Sequence, residues 1–520
     1  MKTLTSALTV LMLLITVSAF AQPGSPDSSF GTNGKRVKPA GKGYAMAIQT
    51  DGKIVMAGSR RTNGNWYNLM LARYLSNGSI DKSFGNKGST VMDFGGYSKA
   101  FSIAIQADGK IVAAGTALKD FAIARFNPDG RPDSSFGING KVTTDFAGYG
   151  SRREVNFVAI QPDNKIIVIG TVYHDGDLSS IALARYNADG SLDTGFGNGG
   201  GLIAHIAGDF DEGYAVILQP GGKIVATGYA YMGVIDHDPQ EFVLIRYNAN
   251  GNIDSSFGTN GYTFTNIHNF DFPTAAAVQT NGKIVVAGYS MDDSYFVFTI
   301  ALARYTKDGL PDSSFGTNGT VITSVGRIDD RAYGLAIQPD NKIVVAGSTS
   351  DSTGEDLFVA RFTTKGKFDK TFGVNGIVIT DFGRNDVARS VALQADGKIV
   401  AAGSSGKDLA LARYNGDNAM FNNVRNENTR SLKNTGESLS ANEINIYPNP
   451  IESILNIEFN KTGTVQKRIS IYDVSGKLFI TKSAEGNTQI DVKRLIAGTY
   501  LIKITDASGK LLYSGKVIKQ

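Results

Sequence analysis

At 520 residues the chain has room for more than one domain, and a hydrophobic content of 42% is enough for a large buried core. A net charge of +4 without a long basic run argues against nucleic-acid binding, and the absence of cysteine excludes disulfides, thiolate metal sites and cysteine nucleophiles. Glycine is abundant, at 61 residues, and shows no collagen-like period. This composition favours a turn-rich, all-β protein.

Residues 1–21 predict a signal peptide. Lys2 is followed by a largely apolar run at 7–17, and Ala19 and Ala21 are the small residues that a signal peptidase requires. The alternative is a membrane anchor, but the run is shorter than the about 20 residues that span a bilayer. We therefore expect Sec-dependent export, cleavage before Gln22 and no later membrane span.

Three motifs recur seven times each, always in the same order. The motif Asp-x-Ser/Thr/Gly-Phe-Gly-x-x-Gly places its phenylalanine at Phe30, Phe84, Phe136, Phe196, Phe257, Phe315 and Phe372. The motif Gln-x-x-Gly/Asn-Lys-Ile-Val/Ile, called the Gln motif below, begins at Gln49, Gln106, Gln161, Gln219, Gln279, Gln338 and Gln394. Ala-Arg-Tyr/Phe, with one Ile-Arg-Tyr variant, centres on Arg73, Arg125, Arg185, Arg246, Arg304, Arg361 and Arg413. A fixed period of this length indicates a repeat architecture.

One repeat unit reads as four strands. In the third unit these are residues 141–146, 156–161, 165–170 and 180–186, which are rich in β-branched residues and are bounded by Gly, Asn and Asp. Other units carry Asp-Gly, a pair that suits a tight hairpin, between the second and third strands. Four strands in about 57 residues are typical of a propeller blade.

The two ends of the array are complementary. The first copy begins with the Asp-x-Ser-Phe-Gly half of a unit at 26–34, and the last copy stops at 412–416 without it. Joining the two ends closes a ring and removes exposed sheet edges. We predict a seven-bladed β-propeller of four-stranded blades over residues 22–416, with an open β-solenoid as the alternative.

These repeats resemble the delta-60 type β-propeller repeat of exported bacterial proteins. All seven copies match, with swaps at Asn164, Asn341, Gly221-Gly222 and Ile245 that a turn or an apolar position tolerates. The resemblance implies the fold and no ligand or catalytic residue.

The rest of the chain reads as a linker and a second domain. Residues 417–441 are polar and linker-like, and alternating strands follow at 455–459, 468–472, 489–492, 498–504 and 511–513. They predict a small C-terminal antiparallel β-sandwich over residues 442–520. Tyr447-Pro448-Asn449-Pro450, residues 471–477, residues 495–500 and the basic end resemble the type A sorting domain of the type IX secretion system of Bacteroidota. The resemblance implies a partner in the type IX machinery, cleavage of the tail and a secreted or cell-surface address, whereas the alternative is an ordinary adhesion-like sandwich.

The recurring arginines have two interpretations. They could form a ligand-binding ring, but six of them lie eight residues before the aspartate of the Phe-Gly motif, and Arg413 at the end of the array matches Asp27 at its start. This favours a buried, structural ion pair in every blade. The predicted structural pairs are Arg73 with Asp81, Arg125 with Asp133, Arg185 with Asp193, Arg246 with Asp254, Arg304 with Asp312, Arg361 with Asp369, and Arg413 with Asp27.

Signals for a metal or for catalysis are weak. Asn187, Asp189 and Asp193 have oxygen ligands at calcium-like spacing, but a tight turn explains the pattern more simply, and the sixth copy has Lys365 instead of Asp189. We therefore expect no cofactor, with calcium as the alternative. No nucleophile elbow, zinc helix or phosphate loop is present, so no catalytic residue is predicted.

The connections that vary in length are predicted to lie on one face of the propeller, where binding is usually found. The candidate ligand-binding residues there are Trp66, Tyr67, Arg152, Arg153, Tyr231, Asp236, His237, Asp292 and Tyr295. We expect an exported, monomeric binding or scaffold module for an extracellular polysaccharide or protein. The alternative is a surface polysaccharide-degrading hydrolase or lyase, which carboxylates from different blades converging on the central channel would favour.

Overall fold

The computed structural model describes residues 21–39, 41–62, 66–146, 152–174, 178–204, 206, 210–231, 239–292, 297–417, 444–447, 451, 453–459, 466–473, 478–495, 498–506 and 511–519. The chain divides into two compact units, Met1–Met420 and Phe421–Gln520, which are described separately. Residues 1–20 of the predicted signal peptide and residues 418–441 of the predicted linker lie outside the described residues. Within the described part of the chain, no helix is long and apolar enough to cross a membrane.

The first unit is built from short strands separated by tight turns, with one 3-10 turn at Pro220–Gly222. In chain order the strands are β1 (Lys35–Lys38), β2 (Lys42–Ile48), β3 (Ile54–Arg61), β4 (Tyr67–Tyr74), β5 (Ser89–Met92), β6 (Ser98–Ile105), β7 (Ile111–Ala117), β8 (Asp120–Phe126), β9 (Lys141–Thr144), β10 (Arg152–Ile160), β11 (Ile166–Tyr173), β12 (Ser179–Tyr186), β13 (Gly201–Ala204), β14 (Asp211–Leu218), β15 (Ile224–Tyr231), β16 (Gln240–Tyr247), β17 (Tyr262–Thr265), β18 (Phe270–Val278), β19 (Ile284–Asp292), β20 (Val297–Tyr305), β21 (Thr320–Thr323), β22 (Asp329–Ile337), β23 (Ile343–Asp351), β24 (Gly354–Phe362), β25 (Ile377–Thr380), β26 (Asp386–Leu393), β27 (Ile399–Ser405) and β28 (Asp408–Tyr414).

These strands form seven four-stranded antiparallel blades. Blades 1 to 6 follow the chain, from β2–β5 to β22–β25, and blade 7 consists of β26, β27, β28 and β1. The first strand of each blade is the inner one, and it contacts the inner strands of both neighbouring blades, with β26 contacting β2 to close the ring. A single parallel bridge between Gln240 and Phe270 also joins blades 4 and 5. The predicted seven-bladed propeller is confirmed, and the open solenoid is wrong.

Blade 7 is completed by the two ends of the repeat array. Its outer strand β1 pairs with β28, from Lys35 opposite Ala412 to Lys38 opposite Leu409. Ahead of β1, the Asp27 amide donates to the Arg413 carbonyl at 2.9 Å. The strand that the sequence suggests as the first of each unit, such as β9, is in fact the outer strand of the preceding blade. Because each sequence repeat begins with the outer strand of the preceding blade, the first strand of the array completes the last blade. Hydrogen bonds between β1 and β28 therefore join the two ends of the array.

Every inner strand contains a β-bulge at the same position. In blade 3 the register skips Asn156, between Val155 opposite Gly170 and Phe157 opposite Ile169. Glycine is required opposite the bulge, because a Cβ on Gly170 would lie 1.9 Å from the Glu154 carbonyl oxygen. The seven bulged residues are Tyr44, Phe101, Asn156, Tyr214, Thr274, Tyr333 and Arg389.

The core lies between the blades. Seven clusters of buried side chains each combine residues of two adjacent blades, and the phenylalanine of every Phe-Gly motif is fully buried in one of them. Burial of this kind is worth about 1.5–3 kcal/mol for each such side chain. The repeat motif therefore supplies the packing between blades.

The second unit contains two antiparallel sheets. Its strands are β29 (Ile444–Tyr447), β30 (Ile454–Phe459), β31 (Lys467–Asp473), β32 (Leu478–Ala484), β33 (Thr488–Asp491), β34 (Gly498–Asp506) and β35 (Leu511–Lys519). One sheet has the order β29-β30-β33 and the other β32-β31-β34-β35, and both contribute side chains to a single core that includes Leu455, Ile471 and Ile502. Strand β32 is missing from the sequence prediction. Two sheets that share one core support the predicted small sandwich.

Candidate functional site

In each blade one arginine joins the three repeat motifs. In blade 3, Arg185 Nε lies 2.7 Å from Asp193 Oδ2, and the guanidinium carbon lies 4.5 Å from the centre of the Phe196 ring. The guanidinium also donates to the carbonyl of Ala249 in blade 4. Lys165 Nζ lies 2.7 Å from the same Asp193 oxygen. Two cations therefore hold one carboxylate, and the arginine links neighbouring blades.

The same contacts recur around the ring. The distance from arginine Nε to aspartate Oδ2 is 2.7–2.9 Å in all seven predicted pairs. Each of these arginines also lies within 4.8 Å of the centre of a phenylalanine ring. All seven arginines are buried. Because they are inaccessible to a ligand, this geometry gives no support to the ligand-ring interpretation.

The sequence analysis missed the second cation, which is the lysine of the Gln motif. Its Nζ lies 2.5–3.7 Å from the aspartate in every blade, in the pairs Lys53–Asp81, Lys110–Asp133, Lys165–Asp193, Lys223–Asp254, Lys283–Asp312, Lys342–Asp369 and Lys398–Asp27. The signal was present, because this lysine recurs as regularly as the arginine. Asp417, placed in the linker by the sequence, also contacts Arg361 Nη1 at 2.9 Å, so the ordered propeller includes residue 417.

This network predicts acid sensitivity. Burial alone would raise the pKa of Asp27, but hydrogen bonds from Ser29 and Lys398 lower it to about 2, and the pKa of Asp369 is lowered to about 2 in the same way. A carboxylate with a depressed pKa stabilises the fold above its unfolded pKa of 3.8, and that stability is lost as the pH falls through the folded value. We expect the free energy of unfolding to fall between about pH 4 and pH 2, by about 2 kcal/mol for each of these two groups.

Urea unfolding at several pH values tests this expectation. The variant Asp369→Asn removes one titrating group and should flatten the pH dependence between about pH 4 and pH 2. Asp163→Asn, at an exposed turn, is the control and should keep the wild-type slope. An unchanged slope for Asp369→Asn contradicts the assignment.

The calcium-like segment forms a tight turn. Gly190 has a φ of +90°, and its amide donates to the Asn187 carbonyl at 3.0 Å. Asp189 Oδ1 accepts a hydrogen bond from the Ser191 amide at 2.9 Å. Asp193 is the carboxylate already held by two cations, both of which a calcium ion would have to displace. The local geometry is that of a turn that stabilises the repeat.

Two predicted ligand-binding residues lie at an exposed hairpin. Trp66 is 61% exposed just before β4, and Tyr67 begins that strand. The ring centres of Tyr67 and Tyr97 are 6.3 Å apart. Both side chains are accessible to a ligand.

The remaining predicted ligand residues differ in their placement. Arg152 is exposed, but Arg153 is only 7% exposed, and its guanidinium pairs with Asp120 at 2.9 Å and with Asp145. Arg153 is therefore a buried structural cation and not a ligand contact. Tyr231 is half-buried and packs edge-on against Phe210. Asp236, His237, Tyr295 and the side chain of Asp292 lie outside the described residues.

The structure also shows a chain of aromatic and charged side chains that passes through all seven blades, here called the channel arc. It lies at the end of the inner strands that carries the variable connections, around the central channel that inner strands line in this fold. Its members are Lys99, Phe101, Tyr44, Arg389, Tyr333, Tyr289, Phe272, Tyr229, Tyr214, Glu212, Tyr173 and Arg152, in the order in which they contact one another.

Contacts within the channel arc are close. The guanidinium of Arg389 lies 5.6 Å from the centre of the Tyr44 ring and 5.2 Å from that of Tyr333. On the opposite side, Glu212 accepts hydrogen bonds from Tyr214 at 2.8 Å and from Tyr173 at 3.1 Å. The sequence analysis missed the arc because its members occupy several positions of the repeat and differ in residue type.

Charges in the arc change how its groups titrate. Burial, reinforced by the nearby Glu212 carboxylate, raises the pKa of Tyr214 and of Tyr173. Burial likewise raises the pKa of Tyr289 to about 12. Burial alone would lower the pKa of Lys99, but hydrogen bonding to Tyr97 and the neighbouring phenols raise it. Tyr173, Tyr214 and Tyr289 therefore remain neutral hydrogen-bond donors, and Lys99 remains a cation.

Four inner strands begin with a buried aspartate that the sequence analysis also missed. These residues lie eight positions before the Gln motif, and each accepts a hydrogen bond from a backbone amide of the preceding connection. They are Asp211, Asp271, Asp330 and Asp386. Burial raises the pKa of Asp271 to about 6, although hydrogen bonds from Ser290 and two amides oppose the shift. The recurring distance from the Gln motif would have revealed them.

Comparison with solved structures finds proteins of low similarity. A fungal alcohol oxidase of the AA5 family, in complex with copper, is 12% identical with a TM-score of 0.41, covering 94% of this chain and 100% of its own. An ulvan lyase of polysaccharide lyase family PL25 is 12% identical with a TM-score of 0.41, covering 77% and 95%. The Dos1 propeller is 11% identical with a TM-score of 0.40, covering 73% and 94%. Likenesses at this level carry no functional argument, and no curated protein matches the sequence.

Family models match both parts of the chain. "Domain of unknown function (DUF5122) beta-propeller" matches residues 49–84, 106–136, 161–196, 219–257, 279–315, 338–372 and 394–417, once for every repeat. "Secretion system C-terminal sorting domain" matches residues 445–520. Both resemblances drawn from the sequence are confirmed, and the sorting domain directs the protein through the type IX machinery. The chain therefore contains a DUF5122 β-propeller repeat region and a type IX C-terminal sorting domain, and the sorting domain indicates secretion to the cell surface or the extracellular space.

Proposed function

We propose that this exported propeller is a binding module for an extracellular polysaccharide, which it holds at the channel arc and the adjoining variable connections. The observation that carries the proposal is the arc itself. Eleven of its twelve members are half-buried or exposed, and on a purely structural scaffold such positions would be expected to hold ordinary polar residues. Here most of them are aromatic or cationic, and aromatic side chains with a few placed polar groups are typical of ligand sites.

The arc offers two kinds of contact to a sugar chain. Tyrosine and phenylalanine rings can pack against the apolar faces of sugar rings, and the phenol and Glu212 oxygens can exchange hydrogen bonds with hydroxyl groups. Arg389 and Lys99 of the arc, from blades 7 and 2, place positive charge on one side, and so does Arg331 of blade 6, whose guanidinium lies 5.8 Å from the centre of the Tyr289 ring. Exposed Trp66 and Tyr67 extend the aromatic surface outward through Tyr97, which lies 4.9 Å from Lys99 Nζ. This distribution suits a polysaccharide with acidic groups.

A second candidate is a polysaccharide-degrading enzyme. Glu154 and Glu212 occupy the same position of adjacent inner strands, and both carboxylates lie near the Tyr173 phenol. Carboxylates from two blades are what a glycoside-cleaving site requires. However, Glu154 is paired with Arg152 at 2.7 Å, and Glu212 is held by two phenols, so both side chains already have partners. We therefore favour binding.

Thermal unfolding and calorimetry of the full chain with neutral and acidic polysaccharides test the proposal. A ligand at a hundredfold over its Kd should stabilise the propeller by about 2.7 kcal/mol. Arg389→Gln and Trp66→Ala should each weaken binding. The matched control is Arg131→Gln, which removes the same charge from a highly exposed side chain on the opposite face.

The outcomes separate the candidates. Binding that survives Arg389→Gln and Trp66→Ala, or the absence of binding by any polysaccharide, contradicts the proposed site. Appearance of shortened products, lost in Glu212→Gln, would instead support the enzyme.

A further inference from the structure

Three carboxylates converge where blade 6 meets blade 7, on the face that carries the variable connections. Asp356 lies on β24, Asp381 on the connection from β25 to β26, and Asp386 at the start of β26. One carboxylate oxygen from each lies within 4.8 Å of the others. Asp386 is fully buried, Asp356 is half-buried and Asp381 is exposed. The cluster therefore reaches from the protein interior to solvent.

The equivalent positions between blades 2 and 3 contain an internal cation. Counted from the repeat motifs, Asp120 corresponds to Asp356, Asp145 to Asp381 and Arg153 to Asp386. There the buried Arg153 guanidinium lies between two carboxylates, 2.9 Å from Asp120 and in contact with Asp145. Between blades 6 and 7 both flanking carboxylates are retained, but a third carboxylate replaces the cation.

In two other repeats a serine hydroxyl donates to the buried aspartate. The Ser324 hydroxyl, at the position of Asp381, donates to Asp330. The Ser290 hydroxyl donates to Asp271 at 2.5 Å. Among the described residues, only the junction of blades 6 and 7 places acids at all three positions.

The bonding of Asp386 leaves part of its carboxylate unused. Oδ2 accepts a hydrogen bond from the Phe382 amide at 2.5 Å, whereas the buried Oδ1 has no hydrogen bond of normal geometry, although the Ser405 hydroxyl lies nearby. A buried oxygen without a partner is costly. Asp330 Oδ1 also lacks a partner, but among the described residues only Asp386 has two further carboxylates close enough for one cation to contact all three.

Charge at the cluster also points to a divalent ion. Arg327 Nη1 lies 2.7 Å from Asp356 and offsets one of the three negative charges. Lys35 Nζ is directed to the Asp381 carbonyl at 2.5 Å. Arg327 and Lys35 are two cations beside three carboxylates, so they leave negative charge for an ion to balance.

We propose that Asp356, Asp381 and Asp386 bind a calcium ion, which takes the place that the Arg153 guanidinium fills between blades 2 and 3. Calcium prefers carboxylate and carbonyl oxygens at about 2.3–2.6 Å, so ligands on opposite sides of one ion are about 5 Å apart at most. The observed limit of 4.8 Å meets this condition without rearrangement. The ion ties the connection before β26 to blade 6, three residues from Arg389 of the channel arc.

The experiment is calorimetric titration of the full chain with calcium after chelator treatment, together with thermal unfolding. We expect one calcium ion per chain and a melting temperature that rises with calcium. Asp381→Asn, at an exposed position, should weaken calcium affinity by at least about tenfold. Asp386→Arg copies the arrangement around Arg153 and should abolish the calcium response without lowering the melting temperature in chelator.

Asp189→Asn is the control, because it removes a carboxylate from the calcium-like turn on the opposite face. This variant should bind calcium as the wild type does. No binding at millimolar calcium, affinity unchanged by Asp381→Asn, or loss of binding in Asp189→Asn would each overturn the proposal. If Asp386→Arg fails to fold, Asp381→Asn together with Asp356→Asn decides the question.

Discussion

Replacing Phe30 with alanine is expected to lower the free energy of unfolding of the propeller by about 3–5 kcal/mol. Phe30 belongs to the segment before β1, yet its ring is fully buried in the core between blades 7 and 1. The Arg413 guanidinium lies 4.6 Å from the ring centre, and a Cβ on Gly78 would lie 2.9 Å from ring atoms. Removal of the ring would leave a cavity that these closely packed neighbours cannot fill. The cavity would lie between blades 7 and 1, where the ring of blades closes.

Urea unfolding of the full chain, followed through the propeller transition, measures this loss. The matched control is Ile138→Ala, which shortens a side chain that is 76% exposed in the equivalent motif of another blade. The control should change the free energy of unfolding by less than about 0.5 kcal/mol. If both variants lose the same amount, the segment before β1 does not close the ring as described.

Arg361→Met is expected to cost about 3–5 kcal/mol, the usual effect of removing one partner from a buried ion pair. Arg361 is fully buried, with its Nε 2.9 Å from Asp369 and its Nη1 2.9 Å from Asp417. Methionine keeps much of the volume of the apolar part of the arginine side chain. The loss of unfolding free energy therefore comes mainly from leaving the Asp369 and Asp417 carboxylates without their partner. The control is Arg131→Met, at a side chain that is 82% exposed.

A double-mutant cycle separates the pair from its surroundings. Adding Asp369→Leu to Arg361→Met removes the unpaired carboxylate, so the double variant should lose less than the sum of the single variants. Additive losses would mean that the two residues do not interact. The repeat motif would then need another explanation.

The roles of residues that recur in every blade could be predicted from the sequence. The roles of residues that make contacts at only one junction between blades could not. Arg185 and Asp193 could be paired because seven copies preserve their spacing. Lys165 was overlooked because its contact to Asp193 crosses 28 positions of chain, although its recurrence was visible. Arg153 was predicted to bind a ligand, because its burial depends on Asp120 of β8 and on Asp145 of the connection after β9, which lie outside its own strand.

The channel arc is a second feature that could not be predicted from the sequence. Tyr44, Tyr333 and Arg389 share only the bulge position, and nothing in their identity marks them as neighbours. The ring places them side by side because each inner strand contacts the next.

The sequence by itself determined the repeat, the number of blades, the closure and the export route, because a feature repeated seven times outweighs local ambiguity and a sorting domain is recognised by its own motifs. Only the tertiary structure decided which carboxylates meet at the junction of blades 6 and 7, which arginines are buried and which rings form the channel arc. Those contacts join residues of different blades. Their chemistry therefore follows from the radial arrangement of the strands and not from any local pattern.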